Sequence, residues 1–196
     1  GQMSHWDTVH LNTNDVLNQA LSIDFTADTT ALGLFDYVFT PNFNLSNYVI
    51  PQISFNYAYQ STGLDYEQDG LIVALSYDCG QNFYSEDYLI ELYGPNLATV
   101  SSTSSSFFAP KDSSEWKNMT IDLIAFQKET NLQFAFIGQS STASQLYLDD
   151  IMVVDLADFD YDLHLDIQNE VPLITCENEQ KISLNLENRG NQIRSD

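Results

Sequence analysis

Cationic side chains are what this chain has least of. Its 196 residues hold six Lys and Arg against 28 Asp and Glu, a formal charge of −22. Nucleic-acid binding depends on Lys and Arg neutralising phosphates, so that function is excluded, and so is attraction to an anionic membrane surface. Long apolar runs are lacking too. None approaches the roughly 18–20 residues of a membrane span, which excludes insertion as a helix. Cysteine is scarce: Cys79 and Cys176 lie far apart and make no disulfide framework. They can pair with each other, pair with cysteines outside this chain, or stay reduced. Catalytic signatures are missing as well. There is no HExxH zinc motif, no G-x-S-x-G elbow and no glycine-rich phosphate loop. The three histidines, His5, His10 and His164, are scattered, and neither cysteine has one near it in sequence. A glycosidase needs two carboxylates at a set separation, but among 28 acidic residues such a pair arises by chance and carries no information. The chain therefore reads as non-enzymatic.

What is present is β-forming. Hydrophobic residues make up 43% and aromatics 13%, with 11 Tyr and 12 Phe, a bias towards strands. Period-2 alternation recurs along the chain, and no helical period competes with it. In "NQALSIDF", Leu21, Ile23 and Phe25 share a face. In "GLFDYVFTP", Phe35, Tyr37 and Phe39 share one. "PQISFNYAYQ" predicts Ile53, Phe55, Tyr57 and Tyr59 inward. "GLIVALSYDCG" places Leu71, Val73, Leu75 and Tyr77 together. "EDYLIELYG", "KNMTIDLI", "LQFAFIG" and "QLYLDDIMVVD" supply further strands. About nine strands separated by turn signals predict an all-β antiparallel sandwich over residues 1–156. The Ser-rich stretch 97–116 reads as an ordered crossover on its rim, because Phe107 and Phe108 need burial. After Asp155 the composition shifts to "LADFDYDLHLD" and "KISLNLENRGN". Residues 157–196 read as a linker and the incomplete start of a second β domain, since two strands cannot stand alone.

The stretch "SQLYLDDIMVVD" (144–155) poses a conflict. Neighbours on a strand face opposite ways. Leu146, Leu148, Asp150 and Met152 then share one face, and Tyr147, Asp149, Ile151 and Val153 the other. Whichever face is the core receives a carboxylate, which is costly to bury unpaired. A metal, a cationic partner or backbone donors must satisfy it. With cations so few, calcium is a natural candidate. Asp149 or Asp150 would be one ligand, with Asp24, on the polar face of an early strand, as the second. The loop "DYEQDG" offers Asp65, Glu67 and Asp69 at alternate positions before Gly70, resembling half of a calcium loop, although Ser76 stands where a bidentate Glu would close it. Its plainer reading is an acidic hairpin turn. Trp116, Trp6, Tyr48, Tyr57 and Tyr66 are candidates for a sugar-stacking platform, against the plainer reading of aromatics plugging a sandwich rim.

The motifs in this order have a family likeness. "TPNFNLSN" followed by "PQISFNYAY", then "LIVALSYDCGQNF", then "LYLDDIMV" resembles the MAM-like and cleaved-adhesin-like domains of secreted Bacteroidetes proteins. The likeness covers about residues 18–155; the family's acidic "F-E" opening has no counterpart before "HWDTV". The resemblance implies a jelly-roll sandwich of the galactose-binding-like kind, with a structural calcium ion on the aspartate that matches Asp149. It implies secretion or display at the cell surface, often by a type IX route, within a larger polypeptide. "CENEQKISLNLENRGNQ" is similar to the opening of the Ig-like module that follows such domains. The expected function is a calcium-stabilised, non-catalytic binding or adhesion module for a protein or glycan surface ligand. The alternatives are a dedicated carbohydrate-binding module, or an accessory domain of an attached secreted metallopeptidase.

Overall fold

The computed structural model describes residues 5–13, 16–26, 33–61, 69–101, 107–140, 144–159, 163–167 and 184–188. In chain order the strands of the main body are β1 (Asp7–Thr13), β2 (Val16–Asp24), β3 (Phe35–Phe39), β4 (Pro51–Ser61), β5 (Gly70–Ser76), β6 (Tyr88–Tyr93), β7 (Val100–Ser101), β8 (Lys117–Asp122), β9 (Gln133–Gln139) and β10 (Gln145–Asp155). They form two sheets. The larger runs β1-β2-β10-β4, with β7 and β8 both on the far edge of β4; the smaller runs β3-β9-β5-β6. All pairings are antiparallel except the short one between β4 and β7. The architecture is all-β: the antiparallel sandwich that the alternation predicts, and the jelly roll that the resemblance implies.

The core lies between the sheets. Ile53, Phe55, Tyr57 and Tyr59 of β4 point inward as expected, each 3% exposed or less. They meet Leu71, Val73 and Leu75 of β5 and Phe134 and Phe136 of β9. The Phe55 and Phe136 rings pack edge to face at 5.0 Å and 87°, an arrangement favoured by the ring quadrupole. Tyr77, grouped with that face in sequence, lies beyond β5 and is exposed.

Each sheet also has something on its outer face. Leu11, Ala20, Ala58 and Tyr147 of the larger sheet pack under Phe108 and Trp116. The Ser-rich crossover therefore covers a sheet face. Of its two phenylalanines only Phe108 is buried, at 5%, held by its N–H to Gln145; Phe107 is 73% exposed. Ile72, Ala74, Ala135 and Ile137 of the smaller sheet pack under Phe83, Tyr88 and Tyr93. Beyond the sandwich, β11 (Leu163–Ile167) and β12 (Leu184–Asn188) pair antiparallel in a sheet of their own, Leu165 opposite Leu186. Among the described residues no helix is long and apolar enough to cross a membrane.

The conflict in β10 is resolved by one extra residue. Asp149 pairs with Asn56 of β4, but Met152 pairs with Ser54: three steps on β10 against two on β4. This is a β-bulge, and it resets the alternation. Leu146 and Leu148 face the core before it; Ile151 and Val153 pack against the core after it. Neither Asp149 nor Asp150 turns inward, so the premise that one of them must is wrong. Asp150 takes φ = 51° to make the bulge, a left-handed conformation that Asp tolerates better than most residues. Asp150→Gly should leave stability unchanged or raise it. Asp150→Val should cost about 1–2 kcal/mol, the penalty for a β-branched residue held left-handed. Urea denaturation checks both; a Val variant that unfolds at the wild-type midpoint would show that the bulge imposes no such constraint.

Candidate functional site

Asp24 and Asp149, the first two aspartates proposed for a metal, do not converge. Asp24 pairs in register with Gln145, while Asp149 lies four residues further along β10, about 13 Å at the rise of a strand. Each already has neutral partners. Asp149 accepts from Asn18 Nδ2 at 2.5 Å on β2 and from its neighbour's N–H at 2.8 Å. Asp150 accepts from Asn56 Nδ2 at 2.8 Å on β4. Asp24 accepts from the N–H and hydroxyl of Thr26 and from Gln145 Nε2 at 3.1 Å. The amides of the flanking strands thus do what a cation was expected to do. Asp69 is wholly buried; it accepts from Tyr59 Oη at 3.1 Å and from the Ser144 N–H at 2.9 Å. Asp65 lies outside the described residues. Among those residues, no three His, Cys, Asp or Glu gather in a group that could hold a metal.

A carboxylate does turn inward, but at the end of β10. The parity set by the bulge carries Asp155 to the sandwich end, 9% exposed. It accepts from the N–H groups of Val49 at 2.8 Å, Ile50 at 2.7 Å and Ala157 at 3.2 Å. Burial pushes its pKa up, the three backbone donors pull it down, and the donors win. The backbone-donor alternative of the sequence reading is realised here, at a residue the reading did not single out.

The stretch "SYDCGQNF" is a second carboxylate-centred element. Asp78 accepts from the Ser76 hydroxyl at 2.6 Å, from Asn82 Nδ2 at 2.7 Å and from the N–H groups of Gln81 and Asn82. The Ser76 hydroxyl and then Asn82 pull its pKa down to about 2, so it stays ionised and keeps the turn closed. Cys79 and Gly80 follow with φ of 59° and 79°. A Cβ on Gly80 would strike Gln133 Oε1, so the turn presses directly on the outer face of β9. Cys79 is exposed and free, and Cys176 lies outside the described residues. The turn leads to Phe83.

Phe83 belongs to an aromatic layer on the outer face of the smaller sheet. Register places Phe39, Ala135, Ala74 and Tyr88 in one row across β3, β9, β5 and β6. Tyr37, Ile137, Ile72 and Glu91 form the next row, and Phe35, Gln139, Gly70 and Tyr93 the third. A bulge in β6 at Leu89 turns Tyr88 to this side, since Val73 pairs with Ile90 but Ala74 with Tyr88. The floor is small or aliphatic and 1% exposed or less; the rings lie over it. Gly70 is required beneath Tyr93, because a Cβ there would come within 2.5 Å of the ring. Tyr37 and Phe39 run near-parallel with centroids 5.9 Å apart, and Phe39 meets Phe83 at 5.4 Å. Phe35, Tyr37 and Phe39 remain 48%, 42% and 52% exposed. Burial and then the Glu91 hydrogen bond, 3.1 Å from Tyr93 Oη, push the Tyr93 pKa up to about 12. Burial, then Tyr37 and Glu91, raise that of Tyr88. Both hydroxyls therefore keep their protons as donors. An apolar recess of about 230 Å³ opens beside Phe39, lined by Val38, Phe43, Phe136, Ile151 and Val153.

The described aromatics that the sequence offers as a stacking platform lie elsewhere. Tyr57 is core, 3% exposed, and Tyr48 packs against the core. Trp116 covers the larger sheet. Trp6 is pinned to β3, its backbone N–H on Asp36 Oδ2 at 2.7 Å and its indole N–H on Asp36 O at 3.2 Å. Tyr66 lies outside the described residues. The signal for this exposed layer was the shared side of Phe35, Tyr37 and Phe39, which could equally have been core.

Compared by sequence, the chain matches no family model. No curated protein matches it either. Compared by structure, it is similar to a cleaved adhesin domain of Lys-gingipain from Porphyromonas gingivalis, at 18% identity and a TM-score of 0.51, over 79% of this chain and 85% of that one. A second cleaved adhesin domain of the same protein aligns at 16% identity and TM-score 0.49, over 76% and 90%. A Caldicellulosiruptor saccharolyticus carbohydrate-binding module, solved with mannohexaose, aligns at 10% identity and 0.46, over 74% and 80%. The fold is that of a cleaved-adhesin-like jelly roll.

Asp155 allows a test of how the sandwich end is held. Asp155→Asn should destabilise by about 1–3 kcal/mol, because an amide cannot accept from all three N–H groups. The native carboxyl has a depressed pKa, so its contribution is complete above the unfolded value of about 3.9 and is lost as the pH falls through the folded value. The stability gap between wild type and variant should narrow on acidification below that point. A gap constant from pH 7 to pH 2 would show that ionisation of Asp155 is irrelevant.

Proposed function

We propose that this chain is a non-catalytic binding module of a larger secreted or cell-surface protein, and that its ligand surface is the aromatic outer face of β3-β9-β5-β6. The observation that carries the reading is the exposure of Phe35, Tyr37 and Phe39, 42–52%, in one contiguous layer with Phe83 and Tyr88. Exposed apolar patches of this kind mark interaction sites. Several local features place the rings of this layer: a bulge in β6, a glycine under Tyr93 and an aspartate-centred turn before Phe83. The depressed carboxyls Asp78 and Asp155 spend their oxygens on donors of the fold itself, which favours structural over catalytic roles. The test is a screen of the whole chain against immobilised polysaccharides and extracellular-matrix proteins. At least one probe should be retained by the wild type and lost with the Tyr37→Ala/Phe39→Ala pair. Retention that never depends on these rings would overturn the reading.

Calcium stabilisation is part of the same proposal. Its support is now the "DYEQDG" spacing together with Asp69, the most deeply buried carboxylate among the described residues. Calcium that binds only the native chain should raise its melting temperature, by the equivalent of about 2.7 kcal/mol at ~100 times the dissociation constant. Asp65→Asn should abolish that gain and Asp149→Asn should leave it. Identical melting curves with calcium and with chelator would remove the metal from the account.

A further inference from the structure

We infer that the aromatic face of the smaller sheet binds a neutral oligosaccharide chain, stacking successive sugar rings along Tyr37, Phe39 and Phe83. The inference rests on the binding-module reading and adds the chemical class of the ligand and the residues that select it.

Three features of the face narrow its occupant. It is not purely apolar: Glu91, Gln139 and the hydroxyls of Tyr88 and Tyr93 are interleaved with the rings in the rows set by register. A wholly apolar partner would strip water from the Glu91 carboxylate with nothing in return. The face carries no Lys or Arg in those rows, and the chain as a whole holds a charge of −22. An anionic glycan, nucleic acid or acidic peptide is repelled. What remains needs an apolar surface for the rings and neutral hydroxyls for the carboxylate and phenols. A sugar ring has both, a C–H face and an equatorial rim of hydroxyls. The phenol protons matter here: Tyr93 gives its own to Glu91 Oε2, which leaves the Tyr88 hydroxyl to donate to a sugar oxygen while the remaining acceptor capacity of Glu91 takes a sugar hydroxyl.

The shape of the strip argues for a chain over a single sugar. Tyr37, Phe39 and Phe83 neighbour one another in series, with successive centroids 5.9 and 5.4 Å apart, and three rings offer more than one stacking position. The strip is also rigid. Tyr37 and Phe39 stand on a strand paired along its length with β9, and Phe83 is placed by the closed turn around Asp78. A ring held in place loses little conformational entropy when a ligand stacks on it. The exposed rings themselves carry little of the fold, so they can be trimmed without unfolding it.

Titration calorimetry of the whole chain with soluble neutral polysaccharides (a β-glucan, a mannan, a galactan and a xylan), and with polygalacturonate as the anionic counter-probe, tests the inference. At least one neutral polymer should bind saturably, its hexasaccharide more tightly than its monosaccharide, and polygalacturonate should not. Tyr37→Ala and Phe39→Ala should each weaken binding roughly two- to tenfold, the range for one aromatic contact. Glu91→Gln should weaken it as well, and Phe107→Ala, an exposed ring outside the face, should not. Melting curves confirm that each variant is folded. Neutral-polymer binding that survives both ring substitutions overturns the inference, as does equal binding of polygalacturonate. If no polysaccharide binds but a matrix protein is retained through Tyr37 and Phe39, the oligosaccharide is wrong and the binding face stands. If nothing depends on those rings, both fail.

Discussion

Strand parity is the constraint on which this structure turns. A sandwich core accepts only one face of each strand, and a strand of strict alternation cannot change its mind along the way. β10 and β6 both need to. β10 must bury Leu146 and Leu148 and then Ile151 and Val153, which differ in parity. β6 must send Leu89, Ile90 and Leu92 towards the core yet leave Tyr88 and Tyr93 outside. Each does so with one inserted residue. In β10 the insertion also decides the fate of three carboxylates. It keeps Asp149 and Asp150 out of the core and brings Asp155 in, at the one place where three backbone N–H groups await it.

Acid without cations is handled in the same local way throughout. With six basic residues for 28 acidic ones, ion pairing cannot be the general answer. The described carboxylates find neutral donors: asparagine amides for Asp149 and Asp150, a phenol and a backbone N–H for Asp69, a turn for Asp78, the start of the chain for Asp36. Hydrogen bonds from neutral groups to an ionised acceptor are stronger than those between neutral groups. At Asp78 and Asp155 such donors hold the carboxyl pKa down. The acidic composition is then a property of the surface and not evidence of metal hunger by itself.

Sequence made some elements plain and hid others for identifiable reasons. β4 and β5 were legible because they sit centrally, where both sides are constrained and the larger residues fall cleanly on one face. β1 was not read at all: "DTVHLNT" is polar, and its Val9 and Leu11 pack only on the outer face of the larger sheet. The bulge at Asp150 leaves no mark in the sequence, since no glycine announces its positive φ. That single invisible residue is why the double aspartate looked bound to send a carboxylate into the core. The aromatic face escaped for a related reason. Phe35, Tyr37 and Phe39 were correctly grouped, but an aromatic row reads as core until something shows that Val38 points the other way. Tryptophan drew attention instead, and both tryptophans turned out to be covers and clasps.

The motif "SYDCGQNF", which carried much of the family likeness, shows how fold and site are joined. Its Ser76, Asp78, Gly80 and Asn82 build the turn by which the chain leaves β5. Its last residue, Phe83, is delivered by that turn onto the open face beside Phe39. The turn is fixed by backbone geometry, whereas the exposed rings answer to no partner in the core. The scaffold can therefore be held while the rings on β3, β6 and the turn are exchanged. A shared fold at 18% identity is compatible with such an arrangement, because a fold does not fix what its surface does.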